Sequence, residues 1–520
     1  MSSMPCTISP ITTSISDPDR SHHLPNGRGF ANPWPSWTKP SLLDWWSGLH
    51  WQPKGLLAPA AAQAGLLNDE DEDRDVIIPS VTRPDFACPP STEKCVRAWW
   101  LGHAGVLLEV PRSSPSSNRE PLRILFDPIF SNRCSPSQYW GPIRFVPPPC
   151  RVTDLPRIDM VIISHNHYDH LDAETITELW KGNREHLRFV VPMGNREWFR
   201  GIVGNEMALE RVTELDWWEE VSIRSRGVTK DDEEDEDLSI SSALEEGDIE
   251  ARIVCTPAQH GSGRYGLDAG SSLWASYTLF FSRRGNASAS QPEEKPFRVF
   301  FGGDTGYKLR PPATQSGQGV RLHGGEGEGD SSGESASSAS SAATSTVHPA
   351  CPAFREIQEN LLGSDGGVSS SSADLLLLPI SVGSTYSYVR SWDPVGFLPT
   401  VDGGLTAANH LDTWEACEVA HVLLGPDVRG KEARGESKRP TVLGMHFATF
   451  SPEDETRDTV KRLGRACRAW DWRYKPRLQA MTTKGDEIDD EEHGEPKDGE
   501  ANTRGDFVIL DHGGSLEVSW

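Results

Sequence analysis

The nine cysteines of this 520-residue chain include no C-x-x-C pair, and their odd total is scattered singly. That pattern argues against a disulfide scaffold and a cysteine-based zinc site, and it fits a reducing compartment. No apolar run approaches the roughly 18 residues that a membrane span needs. Met1–Arg20 has no basic start leading into an apolar stretch, and its two Asp with one Arg make a poor mitochondrial presequence. A soluble protein, or one that sits on a membrane without crossing it, is therefore expected. No stripe of Lys or Arg is present to follow a phosphate backbone, so no nucleic-acid partner is expected. Hydrophobic residues are also scarce, at 36 %, so part of the chain is expected to lie outside any core.

Negative charge, by contrast, is abundant, with a net charge of −25. Most of it is local, in runs at Asp69–Asp73, Asp231–Asp237 and Asp486–Glu500. Such runs are usually solvated loops or tails rather than binding faces. They fall in a low-complexity acidic linker (53–92) and in insertions at 224–248 and 480–504, while 308–350 is a further insertion rich in Gly, Ser and Ala. The expected organisation is an N-terminal aromatic arm (1–52), the linker, a main domain (93–513) interrupted by these insertions, and a C-terminal tail (514–520).

Between the insertions lie short apolar segments. Strands are expected at Arg97–Leu101, Val106–Val110, Arg123–Phe126, Met160–Ser164, Arg188–Val191, Ala251–Cys255, Leu273–Phe281, Phe297–Phe301, Leu375–Leu378 and Thr441–Met445. Helices are expected at 194–203, 353–362, 411–423 and 452–470, with another from an Asp172 N-cap to about Lys181. Strands with interspersed helices suggest two sheets covered by helices.

The strongest chemical signal follows the Met160–Ser164 segment, where His165, His167, Asp169 and His170 fall within six residues. In an extended turn, residues two apart can point the same way. Imidazole and carboxylate ligands suit a catalytic zinc or another borderline divalent metal. The alternative is a polar surface turn. Three more candidates share one placement, just after an expected strand: His260, Asp304 and His446. Ends of buried strands are where active sites of layered α/β folds collect.

The order strand–HxHxDH, then His, Asp and His, resembles the metallo-β-lactamase superfamily. The resemblance implies a four-layer αββα sandwich with two zinc ions per chain. His165, His167 and His260 would bind one zinc, Asp169, His170 and His446 the other, and Asp304 would bridge them. His167 stands where a di-iron, oxygen-reducing member would carry Glu, which favours hydrolysis. Further segments are similar to the N-acyl-phosphatidylethanolamine-hydrolysing phospholipase D family. They include Asn32-Pro33-Trp34-Pro35-Ser36-Trp37, Trp100-Leu101-Gly102-His103-Ala104, Asp127-Pro128-Ile129-Phe130-Ser131 and Leu215-Asp216-Trp217-Trp218-Glu219-Glu220. Asp304-Thr305-Gly306-Tyr307 and Cys351-Pro352-Ala353-Phe354 belong to the same set. Two departures stand out: residues 308–350 separate the last two segments, and Ser384–Asn409 matches the family's substrate-facing segment poorly.

The resemblance implies hydrolysis of a phospholipid to an N-acylethanolamine and phosphatidic acid, by attack of a metal-bridging hydroxide on phosphorus. Asp169 and His410 are the candidate catalytic residues, His410 for phosphate binding or proton donation. His103, Asp127 and Asp172 are candidate supports behind the ligands. The aromatic arm (Phe30, Trp34, Trp37, Leu42, Leu43, Trp45 and Trp46) could contact a membrane or pack as a structural arm. A cytoplasmic protein, or one peripheral on an intracellular membrane, is expected, and the resemblance suggests a homodimer. The alternatives are a hydrolase of the same fold acting on another phosphodiester or a lactone, and a catalytically dead lipid-binding scaffold.

Overall fold

The computed structural model describes residues 6–11, 20–25, 27–37, 46, 49–50, 76–87, 94–112, 120–225, 248–264, 267–283, 295–308, 349–363, 373–381, 400–401, 407–425, 439–477 and 503–520. In chain order, strands β1 (Cys6–Ile11) and β2 (Leu49–His50) precede β3 (Cys95–Gly102), β4 (Gly105–Val110), β5 (Leu122–Phe126) and β6 (Met160–Ile162). Helix α1 (Ala173–Asn183), β7 (Arg188–Pro192), helices α2 (Arg196–Val203) and α3 (Glu206–Leu209), and β8 (Val212–Leu215) follow. The second half begins with β9 (Glu220–Ser225), β10 (Ile249–Thr256), β11 (Ser276–Arg283) and β12 (Phe297–Phe301). It continues with α4 (Ala353–Ile357), which runs into a π-helical turn at Gln358–Leu362, then β13 (Leu375–Pro379), β14 (Thr400–Val401) and α5 (Thr413–Leu424). The chain closes with β15 (Thr441–Met445), α6 (Glu453–Ala469), β16 (Arg473–Arg477), β17 (Asp506–Leu510) and β18 (Ser515–Ser519).

Two large sheets result. One has seven strands in the order β18-β3-β4-β5-β6-β7-β8, and the other has nine in the order β1-β9-β10-β11-β12-β13-β15-β17-β16. Each is antiparallel at its first strands and parallel beyond them: β3, β4 and β5 form a meander before the parallel β5–β8, and β9–β12 do the same before β12, β13, β15 and β17.

The alternation of side chains explains the layers. Along β3–β5, Trp99, Leu101, Leu107 and Leu125 face one way, into a cluster with Ile176, Leu179 and Trp180 of α1 and Phe199 of α2. Their neighbours Ala98, Trp100, Val106, Leu108, Ile124 and Phe126 face the other way, into the core shared with the nine-stranded sheet. Phe126 and Phe301 meet there, with ring centroids 4.6 Å apart. Both faces of the central strands of this sheet are thus buried, which is why β4, β6 and β7 read as nearly continuous apolar runs. On the far side, Ile357, Leu361, Cys417, Val419, Val460 and Leu463 cover the nine-stranded sheet. The order is helices, sheet, sheet, helices, as expected.

Local signals set the helix limits. Asp412 accepts from the Glu415 amide while the Glu415 side chain returns to the Asp412 amide, a reciprocal cap that starts α5. Helix α6 begins with Glu453, Asp454 and Glu455 and ends near Arg468, matching the helix dipole at both ends. Asp172 occupies the N-cap position of α1, but makes no capping hydrogen bond.

Several elements depart from the sequence expectation. β1, β8, β9 and β16–β18 have no counterpart in it. Residues 514–520, expected as a tail, instead supply β18, which pairs antiparallel with β3. β1 joins the arm to the nine-stranded sheet beside β9. β16 contains Pro476 yet pairs with β17, because it is an edge strand that need not donate on its outer side. Residues 53–75 and 88–92 of the linker, and 226–247, 309–348 and 480–502 of the insertions, lie outside the described residues. Among the described residues no helix is long and apolar enough to cross a membrane, and Cys95, Cys134, Cys150, Cys255, Cys351, Cys417 and Cys467 are free thiols.

Candidate metal centre

The site forms where strand ends from both sheets meet. After β6 the chain bends at once, so the HxHxDH run does not present one face. His165 and His167 go to one cluster with His260, which follows β10, and Asp169 and His170 go to another with His446, which follows β15, and His103. In the first cluster His167 Nδ1 is 2.8 Å from His165 Nε2 and 3.2 Å from His260 Nε2. Asp304, after β12, reaches both clusters. Its carboxylate lies 3.1 Å from His170 Nε2 and 2.9 Å from His446 Nε2, and 3.7 Å from His260 Nε2 and 4.0 Å from His165 Nε2. Gly303 makes this placement possible: its φ of 56° suits glycine, and a side chain there would run into Ser164.

The supports behind the ligands fix which ring nitrogen faces inward. Asp127 accepts from His170 Nδ1 at 2.7 Å, which turns Nε2 toward the centre. The same carboxylate accepts from the Ser164 hydroxyl, and Ser164 in turn meets His165 Nδ1 at 2.9 Å. The backbone oxygen of Asn409 accepts from His260 Nδ1 at 2.9 Å. Because this contact uses backbone, the side chain at 409 is immaterial to it. The loop carrying it is close: Gly306 packs so tightly on Ala408 that no Cβ would fit. His103 Nε2 donates to Asp169 at 3.0 Å, while Phe450 stands edge-on to the His103 ring, 5.1 Å away. His103, Asp127 and His446 all hold positive φ, at 50°, 36° and 60°. Such left-handed backbone is uncommon outside glycine and collects at functional sites.

The electrostatics of the site define what it can hold. Burial, together with the neighbouring imidazoles, holds His165 and His260 well below the usual histidine range, so both are neutral and have lone pairs to offer. Burial opposes protonation of His170, yet the surrounding carboxylates of Asp304, Asp169 and Asp127 raise it well above the ordinary value. Burial also opposes ionisation of Asp304, and His170, His446 and His410 together pull it well below the carboxylate range. Buried anions need a compensating cation. Meanwhile His170 Nε2, Asp304 Oδ1 and His446 Nε2 are buried and face inward, and their short approaches to one another lack good hydrogen-bond geometry. Convergent neutral imidazoles, bridging carboxylate oxygens and orphaned inward-facing atoms fit divalent metal ions.

Two of the candidate residues take positions that redefine them. His410 lies at the rim of the site, with Nδ1 3.7 Å from Asp304 and its ring stacked 5.5 Å from that of His446. Burial takes it down to about 4, so it is uncharged at neutral pH. Asp172 does not reach a ligand imidazole. Its carboxylate accepts from the Ser131 amide and hydroxyl, at 3.1 and 2.8 Å, and from the Thr175 hydroxyl. It thereby ties the Asp127–Ser131 loop to α1.

Other contributors escaped the sequence reading. Ser164, adjacent to the motif, links Asp127 to His165. Thr449 accepts the His103 amide at 2.6 Å and meets His512 Nε2 at 2.9 Å. Arg264 donates to the carbonyls of Asn166 and Leu171 at 2.8 and 2.7 Å, with its guanidinium 4.0 Å from the Tyr168 ring centroid, and so clamps the ligand turn. Only Ser164 was within reach of inspection, since it directly precedes His165.

Residues 122–310 match the β-lactamase superfamily domain. A Caenorhabditis elegans protein named N-acyl-phosphatidylethanolamine-hydrolyzing phospholipase D 1 is 28 % identical over 310 residues, 59 % of this chain and 70 % of that one. The Saccharomyces cerevisiae protein named N-acyl-phosphatidylethanolamine-hydrolyzing phospholipase D, mitochondrial, is 33 % identical over 186 residues, 36 % of this chain and 31 % of that one. An uncharacterized Mycobacterium tuberculosis protein is 34 % identical over 208 residues, 40 % of this chain and 42 % of that one. This chain thus spans less than half the length of the yeast and mycobacterial relatives. Two sheets between helices, with candidate ligand clusters at the strand ends, give the chain the four-layer arrangement of the metallo-β-lactamase fold, and residues 122–310 are similar to the β-lactamase superfamily domain.

Proposed function

We propose that this protein is a zinc-dependent phospholipase D that hydrolyses N-acyl-phosphatidylethanolamine to an N-acylethanolamine and phosphatidic acid. The observation that carries the reading is Asp304, whose two oxygens approach imidazoles of both clusters. His165, His167 and His260 would hold one zinc, and Asp169, His170 and His446 the other, with Asp304 shared. The relatives named for this activity support the choice of substrate.

A pair of zinc ions supplies Lewis acidity toward a phosphate oxygen and a nucleophile from water at neutral pH. The chain's own part is orientation. Asp127, Ser164, Asn409 and His103 hold the imidazoles and Asp169 in one protonation pattern, so that little reorganisation is needed during the reaction. Water adds to phosphorus, the bond from phosphorus to the ethanolamine oxygen breaks, and the proton that the water gives up is balanced by one gained at that oxygen. As an uncharged imidazole, His410 suits a hydrogen bond to the phosphate better than the storage of a proton.

Membrane contact is also proposed, but not through the front of the arm. Phe30 is buried there and Trp34 stacks on Trp217, with centroids 5.2 Å apart; Leu42, Leu43 and Trp45 lie outside the described residues. Tyr139 and Trp140, 95 % and 66 % exposed, project from the loop before Phe145, whose amide donates to Thr449 beside His103. Exposed Tyr and Trp suit the interface of a bilayer. A cytoplasmic or peripheral intracellular location follows from this reading.

The test is product analysis in heavy-oxygen water, with N-acylated phosphatidylethanolamine and a water-soluble phosphodiester offered in parallel. Label in phosphatidic acid is the expected result. Turnover of the soluble diester alone would replace the substrate class, and no turnover of either would remove the phosphodiesterase reading.

A further inference from the structure

The arm residues 20–37 do more than cover the sandwich. Asp216, after β8, is 2 % exposed, and each of its oxygens takes one imidazole from the arm: Oδ1 from His22 Nε2 and Oδ2 from His23 Nε2, both at 2.7 Å. Oδ1 also accepts the Trp217 amide at 2.9 Å, and Arg20 approaches Oδ2 at 3.6 Å. These contacts satisfy the carboxylate without any metal, so the group is a clasp rather than another ion site. Above it, the His22 and Trp34 rings stack on Trp217, at 4.2 and 5.2 Å. Trp217 Nε1 donates to Trp274 O at 2.7 Å, and Trp274 Nε1 to Ala258 O at 2.9 Å.

The far end of the arm reaches the ligand loop directly. Asn32 Nδ2 donates to the backbone oxygen of His260 at 2.6 Å, and the Ser36 hydroxyl donates to Gln259 Oε1. Gln259 passes the hold on to Ala408 O at 2.9 Å, beside the Asn409 oxygen that orients His260. Three routes from the arm therefore converge on residues 258–260: through the indoles, through Asn32 and through Ser36.

We infer that residues 20–37 are a positioning element of the metal centre, in which the His22–Asp216–His23 clasp anchors Asn32 so that its amide holds the His260 backbone in place. This rests on the metal-centre reading proposed above. Asn32 is bonded to the backbone of His260 and to no ligand nitrogen, so it is a positioning residue. Residues that orient metal ligands from behind typically change metal affinity by about 10- to 100-fold when removed, and one ordinary hydrogen bond contributes only about 1 kcal/mol to the fold. Affinity and stability are therefore expected to separate.

The experiment uses the full chain stripped of metal and its Asn32→Ala and His23→Ala variants; His23, at 24 % exposure, is the less buried of the two clasp imidazoles. Zinc is titrated against a chromophoric chelator, and amide exchange of the metal-free protein is followed over residues 257–263. For Asn32→Ala the expected result is about tenfold weaker binding of one zinc, unchanged binding of the other, and severalfold faster exchange over 257–263. The melting temperature should move by only about 2 °C. His23→Ala should change the same zinc and the same peptide, by less. Wild-type zinc binding and exchange in both variants would overturn the proposal, as would equal weakening of both zinc ions. If the wild-type chain binds no zinc at all, the metal reading fails separately, and the exchange result alone decides whether the arm positions the loop.

Discussion

The two ligand clusters differ in what surrounds them. His165, His167 and His260 meet as three neutral imidazoles, with Asp304 approaching their inward nitrogens and Asp127 behind His165 through Ser164. His170 and His446 instead stand among Asp169, Asp304 and Asp127, with His103 behind. An all-imidazole set suits zinc, whereas carboxylate oxygens also welcome harder ions. The two positions therefore need not have equal affinity or equal selectivity, even though one six-residue run feeds both.

The largest effect should come from the residue they share. Asp304→Asn is expected to remove metal from both clusters and to lower kcat/KM by about 10³-fold or more, as expected when a member of a cooperating catalytic unit is lost; metal analysis per chain checks it, and a variant retaining both ions would dissolve the link between the clusters. Next come the one-sided substitutions. His167→Ala and His446→Ala should each cut zinc from two to about one per chain, but competition with manganese should separate them, the His167→Ala protein retaining the site more tolerant of the harder ion. Identical selectivity in the two variants would mean that the carboxylates do not distinguish the clusters.

Asp127→Asn should act on both sides at once, because Asp127 holds His170 directly and His165 through Ser164. Affinity at both positions is expected to fall by about 10- to 100-fold. A titration in which only one step weakens would show that the Ser164 route carries nothing.

The smallest effect concerns acid. His512 stands behind the carboxylate-bearing cluster through Thr449, and burial with Arg144 alongside takes it down to about 3. A histidine neutral in the fold but able to protonate when unfolded contributes stability that is complete above about 6.5 and is lost as pH falls toward 3. Urea unfolding of the metal-free protein from pH 7 to pH 4 should show the advantage of wild type over His512→Asn shrinking with acid. A constant difference would assign acid sensitivity elsewhere.

The candidate ligands were more legible in the sequence than the residues that support them. The run from His165 to His170 is contiguous because β6 ends there and the turn is short. His260, Asp304 and His446 needed the further inference that strand ends meet, which the apolar segments before them supported. The supports were less legible for a physical reason. Ser164–His165, Asn409–His260 and Thr449–His103 include contacts made with backbone atoms or between distant loops, and these leave no pattern in residue type. Asp172 shows the reverse hazard: a cap position correctly located, whose carboxylate is engaged by Ser131 and Thr175 instead. β9 and β16–β18 were missed because their polar or short sequences become strands only by pairing with neighbours already in place.

One junction has a practical side. On either side of residues 309–348 the described chain meets itself: the Cys351 amide donates to the Tyr307 oxygen at 2.8 Å, while Tyr307 and Phe354 meet edge to face. Exit and re-entry are therefore neighbours, and closing a loop between such ends costs little extra entropy whatever its length. The molecule could be opened there, to give new termini or to accept a fluorescent domain as a reporter, within four residues of Asp304 and yet with the strand order of both sheets untouched.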